Sequence, residues 1–172
     1  MSQVPTPEAT PALPSGPFVG RETFRQLVRD ALAAAAREGW PELRLCDASF
    51  ADWPLGERQV LESLTAWMRQ GGERRLVLLA RCYDEVPRQH ARFVPWRQQW
   101  DHRIDCRARA DADPDDLPSA LWSAGWCLER LDPRRASGVS GAEPERCQRL
   151  RQALDEELKR ARPGFAATTL EL

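Results

Sequence analysis

The run Arg75–Cys82 limits the possible folds more than any other segment of the chain. Its five central residues, Leu76–Ala80, are all apolar and are bounded by arginines, which is typical of a central strand covered on both faces. The earlier segment Glu42–Cys46 alternates like a strand, and a helical period that stops at Gly71-Gly72 separates the two. Strand, helix and strand in this order predict a parallel crossover. The predicted fold class is therefore α/β, with a mixed, mostly parallel sheet flanked by helices.

The other elements fit around this unit in a single domain. They are a helix over Arg21–Glu38, a more polar helix at about Gln89–Trp100, a strand at His102–Arg107, a hairpin over Ser119–Leu131, a flexible loop at Ser137–Gly141, a helix with Leu150, Leu154 and Leu158 on its apolar face, and a final strand at Ala167–Leu172. The length of 172 residues suits one domain. Five prolines within residues 1–17 predict a disordered arm, so we place a single α/β domain at residues 18–172.

Cysteine usage and apolar run lengths predict a cytoplasmic location. The five cysteines are odd in number and widely spaced, and no secretory leader pattern opens the sequence. The longest apolar runs are far shorter than a membrane-spanning segment. We expect reduced thiols, and no association with a membrane.

The overall charge argues against nucleic acid as a partner. Lys and Arg total 25 against 26 Asp and Glu, which gives a net charge of -1 and no bulk attraction to a polyanion. Lys159 is the only lysine, and the other basic residues are 24 arginines. Chemistry that requires a catalytic lysine therefore has one candidate, and no cofactor motif is present.

Carboxylates that follow the predicted strands are candidate metal ligands. Asp47 and Asp52 follow the first strand, and Asp84 follows the second. In open α/β sheets ligands bind outside the carboxyl ends of the strands, and clustered carboxylates there can hold Mg²⁺ for phosphodiester chemistry. The alternative is that Asp52 caps a helix and Asp84 caps a turn.

A second candidate site surrounds the polar helix. Its members could bind an anion or stack on bases; they are Arg88, His90, Arg92, Trp96 and Arg97. Arg92 and Trp96 stand four residues apart, which places them on one face of a continuous helix. The alternative interpretation puts the aromatic rings in the core and the arginines on a solvated face.

Three segments carry a family resemblance: Arg75–Arg81, the stretch from His90–Phe93 to His102–Arg107, and the closing helix with Thr168–Leu170. With these segments, the chain from about Phe24 to Leu172 resembles half of a phospholipase D-like fold. More narrowly, it resembles an uncharacterised bacterial domain that is sometimes fused to acetyltransferases. The resemblance implies a helix-flanked mixed sheet.

The catalytic motif of that family is absent from this sequence. Active phospholipase D-like enzymes carry His-x-Lys-(x)₄-Asp, but here Arg92 stands where the lysine is needed and Arg97 where the aspartate is needed. His90 is thus the only candidate catalytic residue, with no acid partner. The resemblance implies a degenerate domain and favours a non-catalytic role over an enzymatic one.

We therefore expect a non-catalytic binding or regulatory module. Its partner would be another protein or a phosphate-containing ligand, and a homodimer is compatible with the sequence. An exposed indole pair at Trp122 and Trp126 would provide a protein-binding surface, whereas burial would place both rings in the core. Two alternatives stay open: a metal-dependent phosphodiesterase or nuclease that uses the three aspartates, and weak binding of single-stranded nucleic acid by the Arg/Trp face.

Overall fold

The structure, a computed structural model, describes residues 12–166. Within that range the strands are β1 (Gly16–Phe18), β2 (Glu42–Cys46), β3 (Arg75–Ala80), β4 (Ile104–Ala108), β5 (Ser119–Trp122), β6 (Cys127–Asp132), β7 (Ser137–Gly141) and β8 (Arg162–Pro163). The helices are α1 (Arg21–Glu38), α2 (Arg58–Arg69), α3 (Glu85–Gln89), α4 (Phe93–Gln99) and α5 (Pro144–Arg160), and a 3-10 turn covers Asp101–Arg103.

All eight strands form one mixed sheet, in the order β1-β7-β6-β5-β2-β3-β4-β8. The predicted parallel unit is confirmed, because β2 pairs parallel with β3 and β3 pairs parallel with β4. The other five pairs are antiparallel, so the prediction of a mostly parallel sheet is wrong. The strand–helix–strand pattern in the sequence predicts parallel pairing only for β2, β3 and β4, the three strands that helices connect. The strands β5, β6 and β7 join through short turns, which require antiparallel neighbours. The pairs β1–β7, β2–β5 and β4–β8 join strands that are distant in the chain, and no local pattern specifies their direction.

Helices cover both faces of the sheet, as predicted. Leu76 and Leu78 of β3 face the core that α1, α2, α3 and α4 cover, whereas Leu79 faces the opposite core. On that second face α5 packs through Leu150 and Leu154. This alternation follows from the two-residue period of a strand, and it explains why the whole of Leu76–Ala80 is apolar.

The predicted helix at Gln89–Trp100 is two short helices. The backbone leaves the helical region at His90, where φ is -127° and ψ is 51°, and α4 begins three residues later. Pro95 lies in the first turn of α4, a position in which the missing N–H of proline costs no helical hydrogen bond. Arg92 therefore precedes α4 instead of lying on one helix with Trp96.

The predicted boundary of the N-terminal arm differs from the structure. Residues 1–11 lie outside the described range, but Gly16 and Pro17 already pair with β7 as part of β1. The carbonyl of Pro14 accepts hydrogen bonds from the Trp126 ring (3.1 Å) and from the Ser140 hydroxyl (2.9 Å). The predicted final strand at 167–172 also lies outside the described range.

All five cysteines are free thiols. Cys46, Cys106 and Cys127 lie in strands, and Cys82 follows β3 and is half-buried.

Between residues 12 and 166, no helix combines the length and apolar character that crossing a membrane requires.

Candidate functional site

Asp47 and Asp52 belong to a buried ion-pair network. Arg130, on β6, donates to Asp47 (2.8 Å), to Asp52 (3.1 Å) and to the Ser119 hydroxyl (2.8 Å). Its guanidinium also lies 4.4 Å from the ring centre of Phe24. The second oxygen of Asp47 accepts from the backbone N–H groups of the loop that follows β2. Arg130 thus pairs with both carboxylates, and Arg21 lies 3.5 Å from the other oxygen of Asp52. The two carboxylates are committed to arginine instead of presenting free oxygens to a metal.

Asp84 lies apart from that network, at the start of α3 and exposed to solvent. Among residues 12–166, no three His, Cys, Asp or Glu side chains are placed to hold a metal ion together. The structure therefore does not assemble Asp47, Asp52 and Asp84 into one centre.

His90 is a buried packing residue. Its Nε2 lies 2.8 Å from the carbonyl oxygen of Phe50, and Gly56 packs so closely on its backbone that a Cβ at Gly56 would stand 2.7 Å from the His90 Cα. The ring thereby holds the loop after β2, which includes Phe50 at a φ of 61°. This contact commits Nε2 to a backbone carbonyl, which gives the ring a role in holding the loop.

The other residues of the predicted anion site face different directions. Arg97 is buried and pairs with Asp101 (2.6 Å). Trp96 is only 7% exposed and donates to the Thr65 hydroxyl (2.9 Å), so its ring cannot serve as a stacking platform. Arg88 is exposed at the carboxyl edge of β3, and only Arg92 faces α2.

A shallow groove along the outer face of α2 gathers three exposed arginines. Arg58, Arg69 and Arg92 line it, together with Leu61, Glu62, Thr65 and Ala66, around a volume of about 360 Å³. Within the described residues no carboxylate lies within 4 Å of these three guanidinium groups. We call this surface the α2 groove. Its three positive charges face one carboxylate, Glu62.

Glu57, which precedes α2, does not neutralise these arginines. Arg29 of α1 holds its two oxygens at 2.6 and 2.8 Å. That hydrogen bonding keeps the pKa of Glu57 below its ordinary value of 4.5 and raises the pKa of Arg29. The carboxylate is committed to α1, so the positive potential of the α2 groove remains available to a ligand.

Sequence reasoning missed Arg58, Arg69 and Arg130, although each left a signal. Arg58, Glu62, Thr65 and Arg69 stand at steps of four, three and four residues, which defines one helix face. That face is opposite the buried residues of α2. Arg130 falls two residues after the buried Leu128 in a strand, so the period of two already places a charge on an apolar face.

Comparison with known proteins gives a similarity of fold. No protein-family model matches the chain, and no curated protein matches it. The fold is similar to that of TrmBL2, an archaeal chromatin protein with a novel mode of DNA binding, at a TM-score of 0.65 and 13% sequence identity. The match covers 92% of this chain and 57% of that chain. At this identity the similarity establishes a shared fold, and this chain spans little more than half the length of its neighbour.

The comparison overturns our expectation that nucleic acid is not a partner. The expectation rested on the net charge of the chain, but a fold of this kind occurs within a DNA-binding chromatin protein. Net charge averages over the whole surface, whereas a polyanion meets one local face. The α2 groove shows how a face with unpaired arginines coexists with a net charge of -1.

Proposed function

We propose that this protein is a binding module that holds the phosphate backbone of duplex nucleic acid in the α2 groove. One observation carries the proposal: Arg58, Arg69 and Arg92 are exposed, share one groove and have no carboxylate partner among the described residues. Arginine donates in a fork that matches phosphate oxygens. Arg58 and Arg69 stand eleven residues apart on α2, about 16 Å along the helix axis, a span of about five base pairs of duplex.

The burial of the aromatic side chains favours a duplex over a single strand. Proteins that bind single strands without sequence preference stack the bases on exposed aromatic rings. The α2 groove has no such ring, because Trp96 is turned into the core and its ring N–H bonds to Thr65. Contacts with phosphates alone suit a duplex, in which the bases are already stacked.

Two further points support a binding role, and two expectations remain proposals. The structural neighbour is a DNA-binding chromatin protein, and two of the predicted metal ligands, Asp47 and Asp52, are paired with Arg130. We also propose a phospholipase D-like half-fold, from the three segments that carry the resemblance, and a cytoplasmic location, from the cysteine usage and the short apolar runs.

Salt-dependent binding of a fluorescent 20-base-pair DNA duplex tests the proposal. If three phosphates are neutralised, the slope of log K against log salt is about -2.7, and affinity falls about 40-fold between 50 and 200 mM salt. Arg92→Ala removes one contact and should bring the slope about 0.9 closer to zero. The single strand of the same sequence should bind more weakly than the duplex.

Arg149→Ala is the matched control, because Arg149 is exposed on α5 on the opposite side of the sheet. Its slope and affinity should equal those of the unmodified protein. Thermal unfolding of each variant verifies the fold. Three results would contradict the proposal: no duplex binding at 50 mM salt, an equal loss in Arg149→Ala, or tighter binding of the single strand.

A further inference from the structure

A second opening lies at the carboxyl ends of the parallel strands β3 and β4. It is an open cleft of about 840 Å³, within the range of small-molecule sites. None of its lining residues belongs to the α2 groove. This edge is where open α/β sheets bind ligands, because backbone and loop groups converge there.

Aromatic and aliphatic side chains form the inner wall of the cleft. The rings of Tyr83 and Phe165 are stacked, with centres 5.2 Å apart and planes 18° from parallel. Tyr83 is only 8% exposed, so the half-buried Phe165 supplies the aromatic surface of the wall. The Tyr83 hydroxyl donates to the carbonyl of Arg107 (2.6 Å), so its polar tip is already satisfied. Val94 and Ala108 complete the wall. The surface fits a flat apolar ring.

Two guanidinium groups, those of Arg81 and Arg88, stand at the rim of the cleft. Arg81 uses its Nε to bond the carbonyl of Ala112 (3.0 Å), and within the described residues no carboxylate lies within 4 Å of it. Arg88 is largely exposed, and its only carboxylate partner among the described residues is Glu85, at 3.9 Å. Among residues 12–166, Asp84 is the single acid that lines the cleft. The rim therefore offers one guanidinium without a carboxylate partner, Arg81, and a second, Arg88, in a weak exposed pair.

We propose that this cleft binds a small organic anion that consists of an aromatic ring with one carboxylate or phosphate group. The ring lies against Phe165 and Val94, and the anionic group accepts hydrogen bonds from Arg81 and Arg88. The site is independent of the α2 groove, so either proposal can fail alone.

Titration with phenyl phosphate, benzoate, phenol and inorganic phosphate, followed by calorimetry and by NMR of the labelled protein, tests the site. Phenyl phosphate and benzoate, the two complete probes, carry both a ring and an anionic group. They should bind at least about tenfold more tightly than phenol or phosphate, because only they contact the apolar wall and the arginines of the rim together. The tighter of the two identifies the preferred anionic group. Shifted amide signals should concentrate at residues 81–88 and 108–110.

Matched variants locate the binding. Arg88→Gln should weaken the tighter complete probe about tenfold, and Ala110→Trp should block the cleft and abolish binding. Arg134→Gln makes the same charge change on an exposed turn between β6 and β7 and should change nothing. The proposal is overturned if neither complete probe binds more tightly than phenol and phosphate. An equal effect of Arg134→Gln, or full binding by Ala110→Trp, would also overturn it.

Discussion

Arg130→Met should destabilise the protein more than any other single loss of charge described above. The Arg130 side chain is 2% exposed and that of Asp47 is 8% exposed, so removing the cation leaves a buried carboxylate without a counter-charge. Breaking a buried pair from one side costs about 3–5 kcal/mol. For a chain of this length the loss corresponds to a fall in Tm of about 6–20 °C. Methionine keeps most of the side-chain length, so the effect reports charge more than cavity.

The measurement is urea unfolding followed by tryptophan fluorescence, with the free energy of unfolding taken by linear extrapolation. Asp47→Asn in the Arg130→Met background should recover more than about 1 kcal/mol, because the amide still accepts the N–H of Phe50 and leaves no buried charge. A loss below about 1 kcal/mol in Arg130→Met would refute the reasoning. So would strictly additive effects in the double variant.

Two further predictions concern other contacts. Because hydrogen bonding from Arg29 lowers the pKa of Glu57 in the folded state, the pair contributes stability at neutral pH that is lost as pH falls through that lowered pKa. The difference in unfolding free energy between the unmodified protein and Glu57→Gln should therefore be largest at pH 7 and should shrink below about pH 4. A difference that increases as the pH falls would contradict this prediction. Gly138→Ala should strongly destabilise the sheet, because a Cβ there would overlap the carbonyl oxygen of Glu129 across the β6–β7 pair. Gly125 has open space around it, so Gly125→Ala is the control and should leave the Tm unchanged. Equal Tm values for the two variants would refute the packing argument.

The candidate site illustrates how far residue patterns reach. Arg92 was singled out from the sequence and does line the α2 groove, but its companions are Arg58 and Arg69, not Trp96 and Arg97. The reason is the break at His90, which separates α3 from α4 and changes the face on which each later residue lies. Local spacing predicts shared faces only while the helix is continuous.

The buried pair between Asp47 and Arg130 shows a second limit. The two residues are 83 positions apart, and no spacing rule connects them. The alternation of β6 places Arg130 on an apolar face, but only the order of the sheet brings that face to the carboxyl end of β2. The position of Asp47 at a strand end predicts a metal ligand, and only its distant partner Arg130 shows that the carboxylate is already paired.

The sequence by itself determined the elements whose signal is local. These are the parallel strands β2, β3 and β4, the helices α1, α2 and α5, and the hairpin of β5 and β6, because hydropathy period and glycine stops depend on neighbouring residues. Tertiary structure alone decided that Ser137–Gly141 is strand β7, since β1 and β6 supply its hydrogen bonds from both sides. It also decided which arginines are neutralised and which remain free. Periodicity reports that a residue is buried or exposed, but the charge that faces it is set by segments distant in the chain.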